Sequence, residues 1–326
     1  MKKRVLSGIQ PTGKLHLGNL IGAIENWVKL QDEFDCYFFI ADLHALTTAF
    51  DDKDHLKEYI NDVAIDLLAA GLDPKKCVVF KQSDLPEHSE LHLMLSMVTP
   101  VTWLERVPTY KSKIEEMEGK DLGNYGFLGY PVLQAADILM YKADFVPVGQ
   151  DQLPHIELTR EIARRFNNFF GNTFAEPKHL LTKFPTLPGI DGRKMSKSYN
   201  NTIAISDPPE VIAKKVSTMV TDPARVKKDD PGHPEVCSAH YFYKIFGQDK
   251  AAKVAGECQA GSRGCVACKK ELAEVLEAYL AQIHEKRKAL VKDQKKLDKV
   301  LFDGAAQAKK IATKTLSEAK QAMGLI

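Results

Sequence analysis

A run of six residues, Cys36-Tyr37-Phe38-Phe39-Ile40-Ala41, is apolar at every position and limits the folds that are open to this chain. A strand with one face in water alternates apolar and polar residues, whereas a strand buried on both faces does not. Strands of the second kind occur in parallel sheets that carry helices on both sides. The run therefore predicts a buried parallel strand in an α/β fold.

The remainder of the first half repeats this alternation of strands and helices. Short β-type runs occur at Arg4–Ser7, Cys77–Phe80 and Phe145–Val148, and helical patterns separate them. One of these patterns covers residues 54–70 and stops at Gly71, a residue type that commonly ends helices. The alternation predicts a Rossmann-like, doubly wound parallel sheet.

The second half has a different character. After about residue 200 the strand signals are absent, and Lys-, Glu- and Ala-rich helical patterns continue to the end of the chain. We therefore predict a doubly wound domain over residues 1–200 and a second, mostly α-helical domain over residues 201–326.

Net charge and hydropathy say more about the cellular compartment of the protein than about whether it binds nucleic acid. The net charge of +2 neither requires nor excludes nucleic acid, because overall charge says little about local patches. The basic start, Met1–Ser7, lacks the apolar run of a secretory signal, and no stretch approaches the length of an apolar membrane span. We expect a cytoplasmic protein with no membrane segment.

The segment TGKLHLGN at residues 12–19 lies between the first predicted strand and the first predicted helix. Ligands of doubly wound folds bind at this position, where backbone N–H groups of the helix start face an anion. Gly18 would let a flat base approach the backbone, and His16 and Asn19 add neutral donors for phosphate oxygens. Taken alone, so short a motif is more often an ordinary strand–helix turn.

The segment GRKMSKS at residues 192–198 places Lys194 and Lys197 on either side of Met195-Ser196, in a loop with a glycine hinge. Such a loop can close over a triphosphate and bring positive charge to the leaving pyrophosphate. A carboxylate nucleophile is already ionised at neutral pH, so the chemistry needs positioning and charge rather than a general base. The alternative is a solvated basic loop, but the order Lys-Met-Ser-Lys-Ser is far more specific than its charge.

Together these two segments resemble the paired signatures of class I aminoacyl-tRNA synthetases. The segments Ser7–Gly13, Gly18-Asn19 and Val146–Gln152 are similar to the tryptophanyl-tRNA synthetase family in particular, and the resemblance extends to Gln321–Gly324. It implies that the carboxylate of tryptophan attacks the α-phosphate of Mg²⁺-bound ATP, giving tryptophanyl-adenylate and pyrophosphate. The adenylate then esterifies the 3′-terminal ribose of tRNA(Trp). The resemblance also implies a homodimer, with each tRNA reaching across both subunits.

Asp137 is the residue expected to choose the amino acid. It lies in the segment Val132–Met140, which is apolar nearly all round and predicts a buried helix. A buried carboxylate needs a partner. The resemblance implies that this partner is the indole N–H, and losing such a contact discriminates by orders of magnitude. A structural ion pair is the alternative.

The resemblance assigns further residues to the two small substrates. For tryptophan it implies that Tyr130 and Gln152 hold the amino group, and that the indole pocket is bordered by His44, Leu6, Val146 and Val148. For ATP it implies contacts with the ribose from Gly149 and Asp151, although Asp151 could be only a helix N-cap. The full set of implied ATP contacts is Gln10, Pro11, Thr12, Gly18, Asn19, Gly149, Gln150, Asp151, Leu187, Lys194, Met195, Ser196, Lys197 and Ser198.

Catalysis would rest on four of these signature residues: Lys194, Lys197, His16 and Asn19. Lys111 and Lys113 lie in a polar insertion where the family places a pyrophosphate-binding lysine. They could equally belong to a solvated charged face.

Four of the six cysteines, Cys237, Cys258, Cys265 and Cys268, lie within 32 residues. Four thiolates could bind either Zn²⁺ or a [4Fe–4S] cluster. Only the last pair has the spacing of a zinc knuckle, and some bacterial members of the family carry a similar pattern with a [4Fe–4S] cluster. The resemblance therefore favours the cluster, in a helical domain that approaches the anticodon of the tRNA.

Two other functions compete with tryptophan activation. The sister family activates tyrosine, and a non-catalytic, synthetase-like RNA-binding or iron–sulfur sensor protein is a candidate of another class. The Gln-Pro-Thr-Gly start and the Ala-Ala-Asp helix favour tryptophan, and the presence of both loop lysines and Asp137 favours an enzyme.

Overall fold

The sheet confirms the α/β prediction. The computed structural model of the protein describes residues 2–51, 53–116, 122–181, 186–227 and 229–326. All strand pairs are parallel, and the strand order is β3-β2-β1-β4-β5. The strands are β1 (Arg4–Ile9), β2 (Asp35–Ile40), β3 (Cys77–Lys81), β4 (Phe145–Val148) and β5 (Lys178–Leu181). Sequence patterns do not predict β5, because three of its four side chains are exposed.

Helices occupy most of the remaining chain. In chain order they are α1 (Leu17–Asn19), α2 (Glu25–Glu33), α3 (Asp42–Ala49), α4 (Lys53–Ala69), α5 (Glu87–Ser96), α6 (Val101–Glu105), α7 (Pro108–Glu116), α8 (Tyr125–Leu128), α9 (Tyr130–Met140), α10 (Leu153–Phe170), α11 (Pro209–Ser217), α12 (Ser238–Phe246), α13 (Gln248–Gln259), α14 (Cys265–Val291) and α15 (Gln294–Ala322). Within the described ranges, no helix combines the length and the apolar character that crossing a membrane requires.

The chain divides into two compact units. The first contains residues 1–12, 23–183 and 293–326, and the second contains residues 13–22 and 184–292. This division differs from a boundary at residue 200 in three places, since the second unit begins at residue 184 and two other segments change sides. The segment 13–22 groups with the second unit, because Leu17 N–H donates to the Ile203 carbonyl at 3.0 Å and Ile205 N–H donates to the Leu15 carbonyl at 2.8 Å. The last helix, α15, groups with the first unit, because it packs against β3.

The core of the first unit lies on the central strands and on α9. Five of the six residues of β2 are buried, as expected for a strand covered on both faces. Trp27 from α2 stacks on Phe38 of β2 with ring centroids 4.8 Å apart. In α9, ten of the eleven residues are buried, so this helix is enclosed on nearly every side.

Helix α15 covers the free edge of β3, which is the outermost strand on its side of the sheet. An uncovered edge strand offers unpaired backbone groups to other chains. The approach is close enough that a Cβ atom at Gly304 would lie 1.8 Å from the carbonyl oxygen of Val79. Only glycine fits at this point of the helix.

Gly304→Ala tests this contact. We expect the substitution to destabilise the first unit by at least about 2 kcal/mol, because backbone rather than a flexible side chain must move to admit the methyl group. Urea-induced unfolding measures the effect.

Gly256→Ala is the matched control, since a Cβ at Gly256 in α13 would meet no atom within 4 Å. It should stabilise its helix by about 0.5–1 kcal/mol. Equal effects of the two substitutions would contradict the close approach of α15 to β3.

Candidate active site

The first unit collects polar residues where its strands end. Gln10 follows β1, Gln82 follows β3 and Gly149 follows β4. The strand order reverses between β1 and β4, so the loops after these two strands diverge and leave a crevice. Ligands of open α/β sheets bind in such crevices. The loops in question hold residues 10–12 and 149–152, which are the predicted nucleotide and amino-group contacts of this unit.

Asp137 lies at the centre of a buried polar network. Its side chain is 1 % exposed. Oδ1 accepts hydrogen bonds from Gln82 Nε2 at 2.8 Å and His88 Nδ1 at 2.7 Å, and Oδ2 accepts one from His44 Nε2 at 2.8 Å. A carboxylate oxygen has room for two hydrogen bonds. Oδ1 is therefore satisfied within the protein, whereas Oδ2 has one further acceptor position.

The protonation states in this network follow from its geometry. Burial acts to raise the pKa of Asp137, but the hydrogen bonds from His44 and His88 outweigh burial and hold the pKa below its ordinary value. Because the carboxylate is ionised, His88 Nδ1 donates to it, and His88 Nε2 lies 2.9 Å from the Tyr141 hydroxyl. Burial raises the pKa of Tyr141 well above its ordinary range, which keeps this hydroxyl protonated.

Tyr130 belongs to a second polar group of the first unit. Its hydroxyl lies 2.8 Å from Thr109 Oγ1 and 3.3 Å from His155 Nε2, and Thr109 Oγ1 lies 2.7 Å from His155 Nε2. Burial raises the pKa of Tyr130, with a smaller opposing effect of the Thr109 hydrogen bond, so the phenol is neutral at physiological pH. A neutral phenol can accept a hydrogen bond from a cation.

The segment after β4 presents an exposed carboxylate. A Cβ at Gly149 would lie 2.7 Å from Asp151 Oδ1, so glycine is needed for this carboxylate to lie against the backbone. Asp151 Oδ2 accepts a hydrogen bond from Gln152 Nε2 at 3.1 Å. The N-cap positions here are Gly149 and Gln152 rather than Asp151. The carboxylate therefore has no capping role in this structure.

The other residues predicted for the first unit have plainer surroundings. Leu6, Val146 and Val148 are buried in the main hydrophobic cluster. Lys111 is exposed on α7, and Lys113 lies in the same helix with a side chain outside the described residues.

In the second unit, His16 caps the start of α1. Its Nδ1 accepts from the backbone N–H of Asn19 at 3.3 Å, and Asn19 Oδ1 accepts from the backbone N–H of His16 at 3.1 Å. An accepting Nδ1 leaves the ring proton on Nε2, which is then a donor. Burial, and secondly the charge of Lys197, lower the pKa of His16 to about 4. The ring is therefore a neutral donor at pH 7.

The lysine loop lies against the first signature within the same unit. Lys197 Nζ donates to the carbonyl of Gly13 at 2.9 Å, and a Cβ at Gly18 would lie 3.8 Å from Met195 Sδ. Burial lowers the pKa of Lys197 to about 8, which leaves the ammonium mostly charged at pH 7. The second unit thus brings together His16, Gly18, Asn19, Met195 and Lys197, which come from two distant parts of the sequence.

Asn201 holds the shape of this loop. Its buried amide accepts from Ser196 N–H at 2.8 Å and donates to the Lys194 carbonyl at 3.0 Å and to Asp191 at 2.7 Å. Lys194 and Ser198 are exposed, as are Gly192 and Arg193 of the same loop. Leu187 is buried, and its carbonyl accepts from Met195 N–H at 2.9 Å. Asn201 was not predicted from the sequence, because an asparagine after a polar loop has no distinctive pattern.

The four clustered cysteines line one small cavity in the second unit, of about 20 Å³. The guanidinium of Arg225 lies 3.7 Å from Cys258 Sγ and 3.9 Å from Cys265 Sγ. Within the described ranges, no three or more His, Cys, Asp or Glu side chains are arranged to hold a metal ion. The predicted metal site is therefore not confirmed.

Four polar residues of the first unit were also not predicted from the sequence. Gln82 and His88 follow the buried strand β3, so the rule that drew attention to residues after β4 could have found them. Thr109 and His155 carry no such signal, because each lies near the start of a helix and contacts Tyr130 only through the fold.

Comparisons with known proteins identify the family to which this chain is similar. The family model for class I tRNA synthetases (W and Y) matches residues 1–281. The chain is 50 % identical to a tryptophan–tRNA ligase of Thermotoga maritima, over 99 % of both chains. It is 44 % identical to one of Aquifex aeolicus, over 99 % of this chain and 100 % of that one. A crystal structure of tryptophanyl-tRNA synthetase from Campylobacter jejuni, complexed with ADP and tryptophan, superposes with a TM-score of 0.90 at 36 % identity and covers 98 % of this chain and 99 % of that one.

The environment of His16 predicts a pH dependence of stability. The folded pKa of about 4 lies below the ordinary value of 6.5, so the unfolded chain binds a proton that the folded chain excludes. The neutral ring is fully tolerated above pH 6.5, and stability is lost as the pH falls from there towards 4. His16→Asn preserves a capping side chain and removes this titration.

We expect the wild type to lose about 2–3 kcal/mol more unfolding free energy than His16→Asn between pH 7 and pH 4.5. Urea-induced unfolding at the two pH values measures the difference. Parallel losses in the two proteins would contradict the buried, neutral state of His16.

Proposed function

The chain belongs to the tryptophan–tRNA ligase family of class I tRNA synthetases, and from this premise we infer that it activates tryptophan with ATP and attaches it to tRNA(Trp). The observation that carries the conclusion is the 50 % identity with the Thermotoga maritima ligase over 99 % of both chains. The residue roles proposed below rest on the contacts within each unit.

Activation needs little proton chemistry from the protein. An oxygen of the tryptophan carboxylate attacks the α-phosphorus of ATP, the bond from this phosphorus to the bridging β-oxygen breaks, and pyrophosphate leaves. The nucleophile is ionised already, so catalysis consists of alignment and charge stabilisation. In the second step a terminal ribose hydroxyl of the tRNA attacks the acyl carbon of the adenylate, and AMP leaves.

The second unit supplies the charge. We assign Lys197, with Lys194 beside it in the loop, to the phosphate oxygens on which negative charge develops as pyrophosphate departs. A triphosphate next to Lys197 would favour its charged form and raise its pKa from about 8. His16 and Asn19 would add neutral donors. The support for His16 is its capping geometry, in which Nδ1 accepts a hydrogen bond and the ring proton is therefore on Nε2.

The first unit supplies the ribose and amino-group contacts. Asp151 carries an exposed carboxylate suited to ribose hydroxyls, and Gly149 leaves space beside it. Tyr130 and Gln152 would hold the amino group of tryptophan. Mg²⁺ would enter with the triphosphate oxygens, as it commonly does in nucleotide enzymes.

Asp137 would select the indole. Among the described residues, its Oδ2 accepts only from His44, so one acceptor position is open there. An indole N–H would satisfy it, whereas a phenyl side chain would leave a buried carboxylate with an unmet hydrogen bond. The alternative role, a purely structural ion pair, accounts for His44 and His88 but not for the open position.

ATP–pyrophosphate exchange tests the function and the role of Asp137 together. The wild type should exchange with tryptophan and much more slowly with tyrosine. Asp137→Asn should lower kcat/KM for tryptophan by about 100-fold, because an amide cannot accept from all four donors.

Asp66→Asn is the matched control, since Asp66 in α4 is also 1 % exposed. This variant should keep kcat/KM for tryptophan close to the wild-type value. Faster exchange with tyrosine would reassign the substrate, and no exchange with any amino acid would favour a non-catalytic protein.

We also propose that Cys237, Cys258, Cys265 and Cys268 hold a [4Fe–4S] cluster as a structural link in the helical part of the second unit. Four thiols on one cavity are the ligand set of such a cluster, and Arg225 would offset its negative charge. Zinc is the alternative, and it needs four sulfurs about 2.3 Å from one point. As the described side chains stand, they are arranged to hold neither group. The sulfurs would have to move apart to admit four irons, since the cavity is only about 20 Å³.

Visible absorption of anaerobically purified protein decides this proposal. We expect a brown protein that bleaches with dithionite, and loss of the chromophore in Cys258→Ser. Cys36→Ala is the control, because Cys36 is a buried thiol of the first unit, and it should retain the colour. A colourless protein, with or without zinc, would sink the proposal.

We propose that the protein is a homodimer and that the helices after residue 200 approach the anticodon. Support for the dimer comes from three large apolar side chains on and after α5 that are more than half exposed, namely Leu93, Met97 and Val101. Apolar groups exposed together commonly mark a protein interface.

A further inference from the structure

Two of the donors to the buried carboxylate lie just beyond the end of a strand pair. Strands β2 and β3 are paired as far as Ile40 and Lys81. Past that pair both segments leave the sheet, and one continues into α3 with His44, whereas the other enters a short turn that starts at Gln82. Strand pairing therefore fixes Gln82, which is the next residue of its segment, more closely than it fixes His44 within α3.

A second carboxylate joins the two segments beyond the sheet. Asp42 is the first residue of α3 and is 5 % exposed. Its Oδ1 accepts from the backbone N–H of Ser83 at 3.0 Å and from the backbone N–H of Leu43 at 3.1 Å, and its Oδ2 accepts from the Ser83 hydroxyl. The start of α3 is thus tied to the turn after β3 through both oxygens of Asp42.

These contacts close a ring around the carboxylate that would select the indole. Asp42 lies close before His44 in α3, and Ser83 directly follows Gln82. His44 donates to Asp137 Oδ2, and Gln82 donates to Asp137 Oδ1. The link between Asp42 and Ser83 therefore sets the distance between two donors that must reach the same carboxylate.

The alignment of Asp137 depends on donors at both of its oxygens. A carboxylate that is held on both sides cannot turn about the bond between Cβ and Cγ. If α3 moved and His44 no longer reached Oδ2, that oxygen could turn, and a hydrogen bond from an indole N–H would lose its direction. Supporting residues matter at selective sites because errors of less than an ångström in the binding group are costly there.

A plainer role for Asp42 is to stabilise the start of α3. An acidic side chain in the first turn of a helix interacts favourably with the helix dipole and with N–H groups that have no partner inside the helix. This role predicts a loss of folding stability and equal weakening of every ligand of the pocket. It does not account for the two hydrogen bonds from Ser83, which lies outside the helix.

We propose that Asp42 and Ser83 are positioning residues that hold His44 against Asp137, so that Oδ2 keeps one lone pair directed at the indole N–H of tryptophan. The inference rests on the proposed function, which assigns the indole to Asp137. Asp42 and Ser83 act through His44, and neither needs to touch the substrate. Their loss should therefore weaken recognition of the N–H group in particular.

Asp42→Ala is the direct test, with 3-benzothienylalanine as the second ligand. This analogue has the shape of tryptophan and carries sulfur in place of the indole N–H. The ratio of its dissociation constant to that of tryptophan, measured by isothermal titration calorimetry, reports the N–H contact alone. In Asp42→Ala the ratio should fall about tenfold, because most of one hydrogen bond to a charged group is lost. Equal weakening of the two ligands, or a wild-type ratio, would refute the positioning role.

Asp293→Ala is the matched control. Asp293 caps the start of α15, where its side chain accepts from the backbone N–H of Lys296 at 3.1 Å. The control variant should lose stability, as a helix does when its capping side chain is removed, and it should keep the wild-type ratio. If its ratio fell as far as that of Asp42→Ala, the effect would come from destabilisation and the proposal would be wrong.

Ser83 supplies a test that holds even if Asp42→Ala does not fold. Ser83 is exposed, so its side chain can be changed at little cost to the core. Ser83→Ala should lower the ratio by about threefold, since the backbone N–H can still reach Asp42. Ser83→Thr keeps the hydroxyl and should keep the wild-type ratio. A wild-type ratio in Ser83→Ala, or a threonine variant as impaired as the alanine variant, would contradict the link.

A double-mutant cycle tests the route through His44. His44→Ala should lower the ratio by itself, and adding Asp42→Ala to it should lower the ratio no further. Additive losses would show that Asp42 does not act through His44 and would overturn the inference. A wild type that binds tryptophan no better than the analogue would overturn the proposed role of Asp137 instead, so the two failures are distinguishable.

Discussion

The buried carboxylate of Asp137 is the interaction on which the first unit is built. Removing an ion from water costs several kcal/mol, and the cost is recovered only if good donors surround it. The donors come from three places, since His44 lies in α3 after β2, Gln82 follows β3 and His88 lies in α5. A shift of any of these elements relative to α9 would leave the charge unsatisfied. The same charge that would choose the indole therefore also fixes the positions of the elements that form its pocket.

Sequence patterns predicted those parts of the fold whose burial is local. The apolar run in β2 and the apolar segment of α9 are buried nearly throughout. The burial of each can therefore be predicted from its own residues, without knowledge of distant ones. Strand β5 is mostly exposed, and α15 joins the first unit through a contact of Gly304 with Val79, more than 200 positions away in the chain. Long-range contacts of this kind leave no periodic signal. Asp137 was singled out because it interrupts a locally apolar segment. Gln82 and His88, two of its donors, interrupt no such segment, and the rule about polar residues after strands was not applied to β3.

The association of segment 13–22 with the second unit has a consequence for the two signature loops. Backbone hydrogen bonds join Leu15 to Ile205 and Leu17 to Ile203, and Lys197 Nζ donates to Gly13. The spatial relation of His16 to Lys197 is thus set within one compact unit. It does not depend on the arrangement of that unit relative to the sheet. Asn201 adds to this by holding the backbone of the lysine loop at Lys194 and Ser196.

The charged and polar groups around Lys197 in the second unit are better suited to binding an anion than to keeping the lysine charged without one. Burial lowers the pKa of Lys197 to about 8, so the free protein carries a cation whose hydration is already partly lost. The His16 ring beside it, with a pKa of about 4, adds a donor without adding a second charge at neutral pH. A phosphate oxygen that accepts from Lys197 would recover the desolvation cost, and the recovery would grow as negative charge accumulates. If both groups were cationic, their mutual repulsion would oppose folding of the loop before any ligand arrived. A single, partly buried ammonium next to a neutral donor avoids that repulsion, and it would keep its stabilisation for the state in which the leaving group carries its charge.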